Sequence, residues 1–447
     1  MNESSKKLGF WDCMGIGIGQ IIGSGIMVFT GLVIGMTGYG VPWAFLAAAL
    51  VVIIQIIPQA IQSSAMPVRG GSYVYVKEFL GKKIGFFYLC TTVLSSCIIA
   101  SMAISFGEYT AALIPGASVT LVAFIILTIC YALNVIGLKT AAKAQNIMVA
   151  CLMLALFLFI AFGITKVDDF TFLADPERIF PNGFGSFFGG VTLLTFATQG
   201  AKFLMENGDQ VEDPGRTLPK AMIGSTIVVA VFYAFTAIVA VGVLPLEQTA
   251  GQSLVNTAKA IFPSWIYIFF VVGGAMFALA TTLNGSFAWM PQGLHVAAME
   301  GWIHPVFKKT NKAGVPWLLL TIFYAINAFI ILTDADVSFI SLLGTGVTMI
   351  ANVIPALACV TFLQRRPDLY EKSAIKVPKP LYYVLCVIFI IVALYLSSRN
   401  FAKLTPAVWA ALAAFCVIVP VYSIHQEKNS MPERKNNNLC PEKKFSI

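Results

Sequence analysis

An all-α integral membrane protein is the fold class the sequence predicts, and three observations predict it. Only 11% of its 447 residues are charged while 58% are hydrophobic. A soluble domain carries roughly 25% charged residues, so this chain cannot cover a water-facing surface. The few charges sit in short clusters between charge-free stretches, and a spanning helix needs about 20 apolar residues. The short alternating segments broken by turns that mark a membrane barrel are absent. These features exclude a soluble enzyme, a disordered chain and a nucleic-acid-binding module. The net charge of +8 does not point to nucleic acid, because the basic residues gather in loops.

Residues 13–68 contain no Asp, Glu, Lys or Arg and suffice for two spans. One span each falls in 84–107, 109–138, 144–165, 179–201, 221–246, 260–299, 313–333, 337–364, 380–398 and 404–426, giving twelve. Alternate loops then differ sharply in basic residues. Lys166, Arg178, Lys259, Arg399 and Lys403 fall on one side and all the rest, Lys202 aside, on the other. The bias of Lys and Arg toward the cytoplasm predicts that both termini are cytoplasmic. Segment 13–36 is too long and Gly-rich for a cleavable signal peptide. Eight of the nine cysteines lie in or near spans without metal-ligand spacing and read as small packing residues. No metal and no cofactor is expected, and no nucleotide-binding motif is present.

Two spans read as interrupted. In the first, the run Gly15-Ile16-Gly17-Ile18-Gly19-Gln20-Ile21-Ile22-Gly23-Ser24-Gly25-Ile26 concentrates glycine, which costs about 1 kcal/mol per helix position relative to alanine. Gly23-Ser24-Gly25 favours an unwound turn. Freed N–H groups at membrane depth are tolerated where they line a cavity or meet a ligand. At the start of the following half-helix they favour an anion such as a carboxylate. A small-residue packing face accounts for the same glycines, and spacing alone leaves both readings open. The sixth span begins as an apolar segment at Phe184, then meets Gln199, Gly200 and Lys202, and continues into Glu206, Asn207, Gly208, Asp209 and Gln210. Carbonyls freed there could accept from an ammonium group. Breaks in spans 1 and 6 occupy corresponding positions of two five-helix halves, the pattern of an inverted-repeat transporter with a midplane site. An anion-seeking break facing a cation-accepting break suits a zwitterion such as an α-amino acid.

Gly23-Ser24-Gly25-Ile26 is similar to the carboxylate-binding signature of the amino acid–polyamine–organocation transporter superfamily, and ordered matches continue along the chain. Pro67-Val68-Arg69-Gly70-Gly71-Ser72-Tyr73-Val74-Tyr75-Val76 resembles the loop after span 2. Asn134-Val135-Ile136-Gly137 with Gln145-Asn146 resembles the span 4–5 connection. The stretch from Glu212 through Pro214, Arg216 and Pro219 to Ala221 resembles the segment after span 6. Asn311-Lys312-Ala313-Gly314-Val315-Pro316 resembles the opening of span 9.

The resemblance implies a LeuT-type 5+5 inverted repeat with twelve transmembrane helices, helices 1 and 6 broken. Its parts are an N-terminal tail 1–12, a first repeat 13–165, an external loop 166–183 and a second repeat 184–363. A segment 364–424 carries a cytoplasmic loop and spans 11 and 12, and a polar tail 425–447 is expected to lack structure. The implied chemistry is alternating access without covalent steps. Backbone amides around Gly23, Ser24 and Gly25 would take the substrate carboxylate, with Ile22 lining the site. Carbonyls of Phe196, Ala197 and Gln199 would take the amino group, with Thr198 and Gly200 in the same turn. Phe196 would cover the substrate from outside. Ser95, Ser96 and Ala100 on span 3, and Ser286 on span 8 with Thr281 and Thr282 nearby, would face the side chain.

Two positions depart from the family pattern. Some relatives carry a lysine in span 5; Leu152 stands there in this chain, and no lysine lies between Lys143 and Lys166. Lys202 instead occupies the span-6 break, where relatives have glutamate or asparagine. An intramembrane lysine is a functional-site hypothesis by default. It could bind an acidic substrate side chain, couple proton movement, or pair with Glu206 four residues on or with Glu108. Each role disfavours a strongly cationic substrate.

The sequence therefore predicts a secondary amino acid transporter of the plasma membrane, an exchanger or a proton symporter, and not an enzyme. The expected substrate is neutral, with an acidic amino acid second. An organic-cation or polyamine carrier and a non-transporting amino acid sensor are the alternatives. Expected partners are the small-molecule substrate, membrane lipid and possible protons, with no obligate partner subunit and no nucleic acid.

Overall fold

The computed structural model describes residues 7–333, 337–401 and 404–436. Residues 1–6 and 437–447 of the two expected tails lie outside the described residues, as does Lys403. Among the described residues the chain is helical apart from turns, with two isolated bridges, Leu8–Val211 and Arg69–Asn207.

The helices run in this order: α1 (Phe10–Ile21), α2 (Ser24–Thr37), α3 (Val41–Ala65), α4 (Gly71–Leu80), α5 (Lys82–Ser95), α6 (Ile98–Leu113), α7 (Val119–Ile136), α8 (Leu138–Ile164), α9 (Pro176–Ile179) and α10 (Gly183–Thr198). A 3₁₀ turn, Ala201–Glu206, follows α10. Then come α11 (Pro214–Gly242), α12 (Leu246–Thr249), α13 (Leu254–Ile261), α14 (Ser264–Phe269) and α15 (Phe277–Met299). A wider π turn, Phe270–Met276, fuses α14 and α15 into one long element. The remainder is α16 (Trp317–Leu332), α17 (Val337–Arg365), α18 (Pro367–Lys372), α19 (Lys379–Phe401) and α20 (Pro406–Asn436).

Nine stretches among the described residues are long and apolar enough to cross a membrane, so the chain is a multi-pass membrane protein. Helices α1 and α10, of 12 and 16 residues, fall short because each stops at an interruption. Helix α16 is a shorter apolar helix of 16 residues. Helix α20 continues to Asn436, into the stretch expected to lack structure.

Helix α3 lies along α11, α1 packs on α11 and α8, and α10 packs on α2 and α3. One buried apolar cluster, including Ile22, Phe45, Leu194, Leu204 and Tyr233, runs through these helices. A second joins α6, α7, α15 and α16 through Leu127, Phe287 and Phe323. Between α7, α8 and α15 the apolar packing is crossed by a buried amide network. Asn134 Nδ2 donates to Asn284 Oδ1 (2.9 Å), Asn284 Nδ2 to Gln145 Oε1 (2.8 Å), and Gln145 Nε2 to the Thr281 carbonyl (3.1 Å). A buried polar atom left without its partner costs about 1–3 kcal/mol. Asn284→Ala removes the donor to Gln145 Oε1, while Asn134 Nδ2 keeps the Cys130 carbonyl (2.9 Å), and a lower melting temperature of the purified protein is expected.

At the end of the bundle nearest the N-terminus, the chain is tied across its own interruptions. The Leu8 N–H donates to the Gln210 carbonyl (2.8 Å), and the Leu8 carbonyl accepts from the Glu212 N–H (2.9 Å). Asp12 pairs with Lys139 and Lys77 with Glu300, while Arg69 meets Asp209 at 3.1 Å. In the loop 166–183 Asp169 accepts from the Thr171 N–H (2.7 Å) and from Arg178 (2.9 Å). Hydrogen bonds from Thr171 and then Arg178 pull its carboxyl down to about 2. A depressed carboxyl stabilises above its ordinary range, so this contribution is lost only as pH falls toward 2.

Candidate functional site

The glycine-rich run of the first span both packs and breaks. Gly15, Gly17 and Gly19 pack: a methyl added to them would lie 1.8 Å from Asn146 Oδ1, 2.7 Å from Ser225 Oγ and 2.1 Å from Gln145 Nε2. The helix then stops. Gly23 is extended at φ −108°, ψ −154°, and α2 restarts at Ser24 with no side-chain cap. The first-turn N–H groups of α2 lack helical partners by construction, and the dipole makes them an anion-seeking end. Helix α10 ends at Thr198, with Gln199 extended, so its last carbonyls are free in the opposite sense.

The two interruptions touch. A Cβ on Gly25 would stand 2.7 Å from Ala197 Cβ, and one on Gly200 would stand 2.3 Å from the Gln20 carbonyl oxygen. Gly200 has φ −160°, which any residue adopts, so only the close approach of backbones demands glycine there.

Between the breaks lies a cavity of about 190 Å³. Of the residues expected at a site, Gly23, Gly25, Ser95, Phe196, Ala197, Gln199, Lys202, Thr282 and Ser286 line it. Phe196 and Phe29 pack against each other in its wall, ring centroids 6.3 Å apart. The Ser286 hydroxyl donates to the Thr282 carbonyl (2.8 Å). The others lie apart from it. Ile22 is fully buried in the apolar cluster. Ser96 and Thr198 are buried with hydroxyls donating to Val93 and Leu194 carbonyls. Thr281 bonds the Ala278 carbonyl, and Ala100 donates its N–H to Asn327 Oδ1 (2.9 Å). Gly200 lines a smaller cavity of about 10 Å³ behind Gln199 and Lys202. Ser24 contributes the first residue of α2; its side chain lies outside the described residues.

Several wall residues were missed by the sequence reading. Gln20 donates to the Thr282 carbonyl (3.0 Å) and accepts from Trp289 Nε1 (3.0 Å). Trp289 stacks flat on Phe203, centroids 4.0 Å apart at 8°. Lys202 Nζ lies 5.4 Å from the Phe203 centroid and donates to Asn352 Oδ1 (2.5 Å) and Gln199 Oε1 (3.4 Å). Gln199 Nε2 donates in turn to Gln55 Oε1 (3.2 Å). This chain of contacts joins α1, α15, the 3₁₀ turn, α17 and α3 around the cavity. The signal for Gln20 and Asn352 was in the sequence: each is a carboxamide well inside a charge-free run. Trp289 offered none.

The ion pair with Glu206, one of the roles left open for Lys202, is not among those formed by the described residues. An i, i+4 pair aligns on an α-helix, whereas Ala201–Glu206 is a 3₁₀ turn with about 3 residues per turn. Glu206 Oε1 accepts instead from the Ser72 N–H (3.2 Å).

Apolar spans closed around an internal cavity, with two helices broken at its wall, define a membrane carrier for a small solute. The chain belongs to the amino acid permease family, whose sequence profile matches residues 8–421. It is 25% identical over 389 residues to a branched-chain amino acid permease of Bacillus subtilis, covering 81% of this chain and 82% of that one. It is 25% identical to a serine/threonine exchanger of the same organism, covering 84% and 87%. It is 26% identical to the large neutral amino acids transporter small subunit 2 of Homo sapiens, covering 87% and 75%. The family is one of transporters, and the chain is a transporter, not an enzyme.

Proposed function

We propose that this protein carries neutral amino acids across the plasma membrane by alternating access, as an exchanger or a proton symporter. The observation that carries the reading is the opposed pair of helix ends at one cavity. The start of α2 offers N–H groups to a carboxylate, and the end of α10 offers carbonyls to an ammonium group. Ile98, Met102, Phe196, Trp289 and Met290 give the side-chain region an apolar wall. The three relatives named above transport branched-chain, hydroxylated or large neutral amino acids by name, which supports a neutral substrate. The reading takes the helices as twelve spans in two inverted halves of five plus two, with α1/α2 and α10/Ala201–Glu206 as the broken members. It places both termini in the cytoplasm and requires no partner subunit.

Lys202 enters this reading as a charge filter. Two unit charges about 6 Å apart at an effective dielectric constant near 20 interact by about 3 kcal/mol. A lysine or arginine substrate would meet that repulsion. Lys202→Ala is expected to raise arginine uptake relative to leucine uptake by up to about a hundredfold, at about 1.4 kcal/mol per tenfold. An acidic substrate is the second reading, because the Lys202 hydrogen bonds among the described residues go to neutral carboxamides. Uptake of labelled amino acids into proteoliposomes, with and without a proton gradient, tests both. Leucine, isoleucine, valine or serine outcompeting glutamate and arginine supports the first reading. Binding without flux under any gradient would replace transport by sensing.

A further inference from the structure

We propose that Asn352, on α17, is the positioning residue that sets the charge selectivity of the cavity by holding the Lys202 ammonium at its wall. The inference rests on the reading of that cavity as an amino acid site. An ammonium group has three donors and no acceptor, so the Asn352 and Gln199 side chains must both present oxygen to it. The Gln199 orientation is fixed independently, because its Nε2 donates to Gln55 Oε1 at 3.2 Å. Two carboxamide oxygens satisfy two donors and, being neutral, do not themselves cancel the charge at the cavity wall. Nothing allows that charge to withdraw. The space behind it, bounded by Val52, Phe389 and Leu396, is about 10 Å³, room for about one water. Phe203 lies along the near side of the ammonium, clamped against Trp289. The oxygen at 2.5 Å on α17 therefore decides how much positive charge a substrate side chain meets and where it meets it. A carboxylate at that position would cancel the charge, and a short hydroxyl would release the ammonium toward the substrate.

The test is equilibrium binding to purified full-length protein. The probe is the labelled neutral amino acid that wild type takes up best, competed by lysine and by glutamate. Asn352→Asp is expected to improve lysine competition relative to glutamate by about tenfold or more. Asn352→Ser is expected to improve glutamate competition several-fold in wild type and to leave it unchanged on a Lys202→Met background, because the effect runs through the ammonium. A lysine-to-glutamate ratio within twofold of wild type in folded Asn352→Asp overturns the proposal. So does an Asn352→Ser effect of equal size on both backgrounds, which decides the matter even where Asn352→Asp does not fold. Wild-type protein that binds no amino acid would overturn the reading of the cavity itself, an outcome separate from an unchanged ratio.

Discussion

Gly200→Ala is expected to cut amino acid uptake at least tenfold and to destabilise the protein by about 1–3 kcal/mol, the usual cost of forcing a methyl into a filled space. The methyl would stand 2.3 Å from the Gln20 carbonyl oxygen and 2.5 Å from the Ile21 nitrogen. Both are backbone atoms, so no rotamer relieves the clash; the two broken spans must separate. Separation would move the start of α2 away from the end of α10 and spoil both halves of a zwitterion site together. Gly185→Ala is the control. It lies in α10, the helix that leads into this break, and an added Cβ there meets nothing within 4 Å, so uptake and melting temperature near wild type are expected. Uptake and thermal unfolding, measured side by side, check both variants.

The second large effect is expected at Trp289. It is 9% exposed, stacks on Phe203 and donates to Gln20. Trp289→Ala removes a wall of the cavity and one of the links between α1 and α15, and truncating a buried tryptophan costs about 3–5 kcal/mol. Loss of neutral amino acid binding is expected with it. Trp289→Phe keeps an aromatic partner for Phe203 and loses only the hydrogen bond, worth about 1 kcal/mol. It should retain measurable binding with a modest drop in melting temperature. Equal loss in both variants would mean that the stack contributes nothing and the Gln20 bond alone matters.

Much of the architecture could be read from residues alone because a bilayer leaves so few options. Runs without charge mark spans, and Gly-Ser-Gly at Gly23–Gly25 and Gln-Gly at Gln199–Gly200 mark the places where helix gives way. What could not be read is which face of each helix turns inward. Ser96 and Thr198 share their segments with Ser95 and Gln199, yet they are buried away from the cavity while their neighbours line it. Span 3 itself kinks at Ser96–Cys97, between α5 and α6, so no uniform helical period predicts its inward face. The Lys202–Glu206 pairing failed for a related reason: the spacing suits an α-helix, and the segment is a tighter turn. Long-range partners such as Asn352 and Trp289 come from other spans, and one sequence without its fold does not bring them together.

The most direct measurement is an experimental structure of the protein determined with a transported neutral amino acid bound. The substrate carboxylate is expected to meet the N–H groups at the start of α2 and its ammonium the carbonyls at the end of α10, with its side chain against Trp289 and Met290. A protein that transports that amino acid while holding it elsewhere, away from the two breaks, would contradict the account.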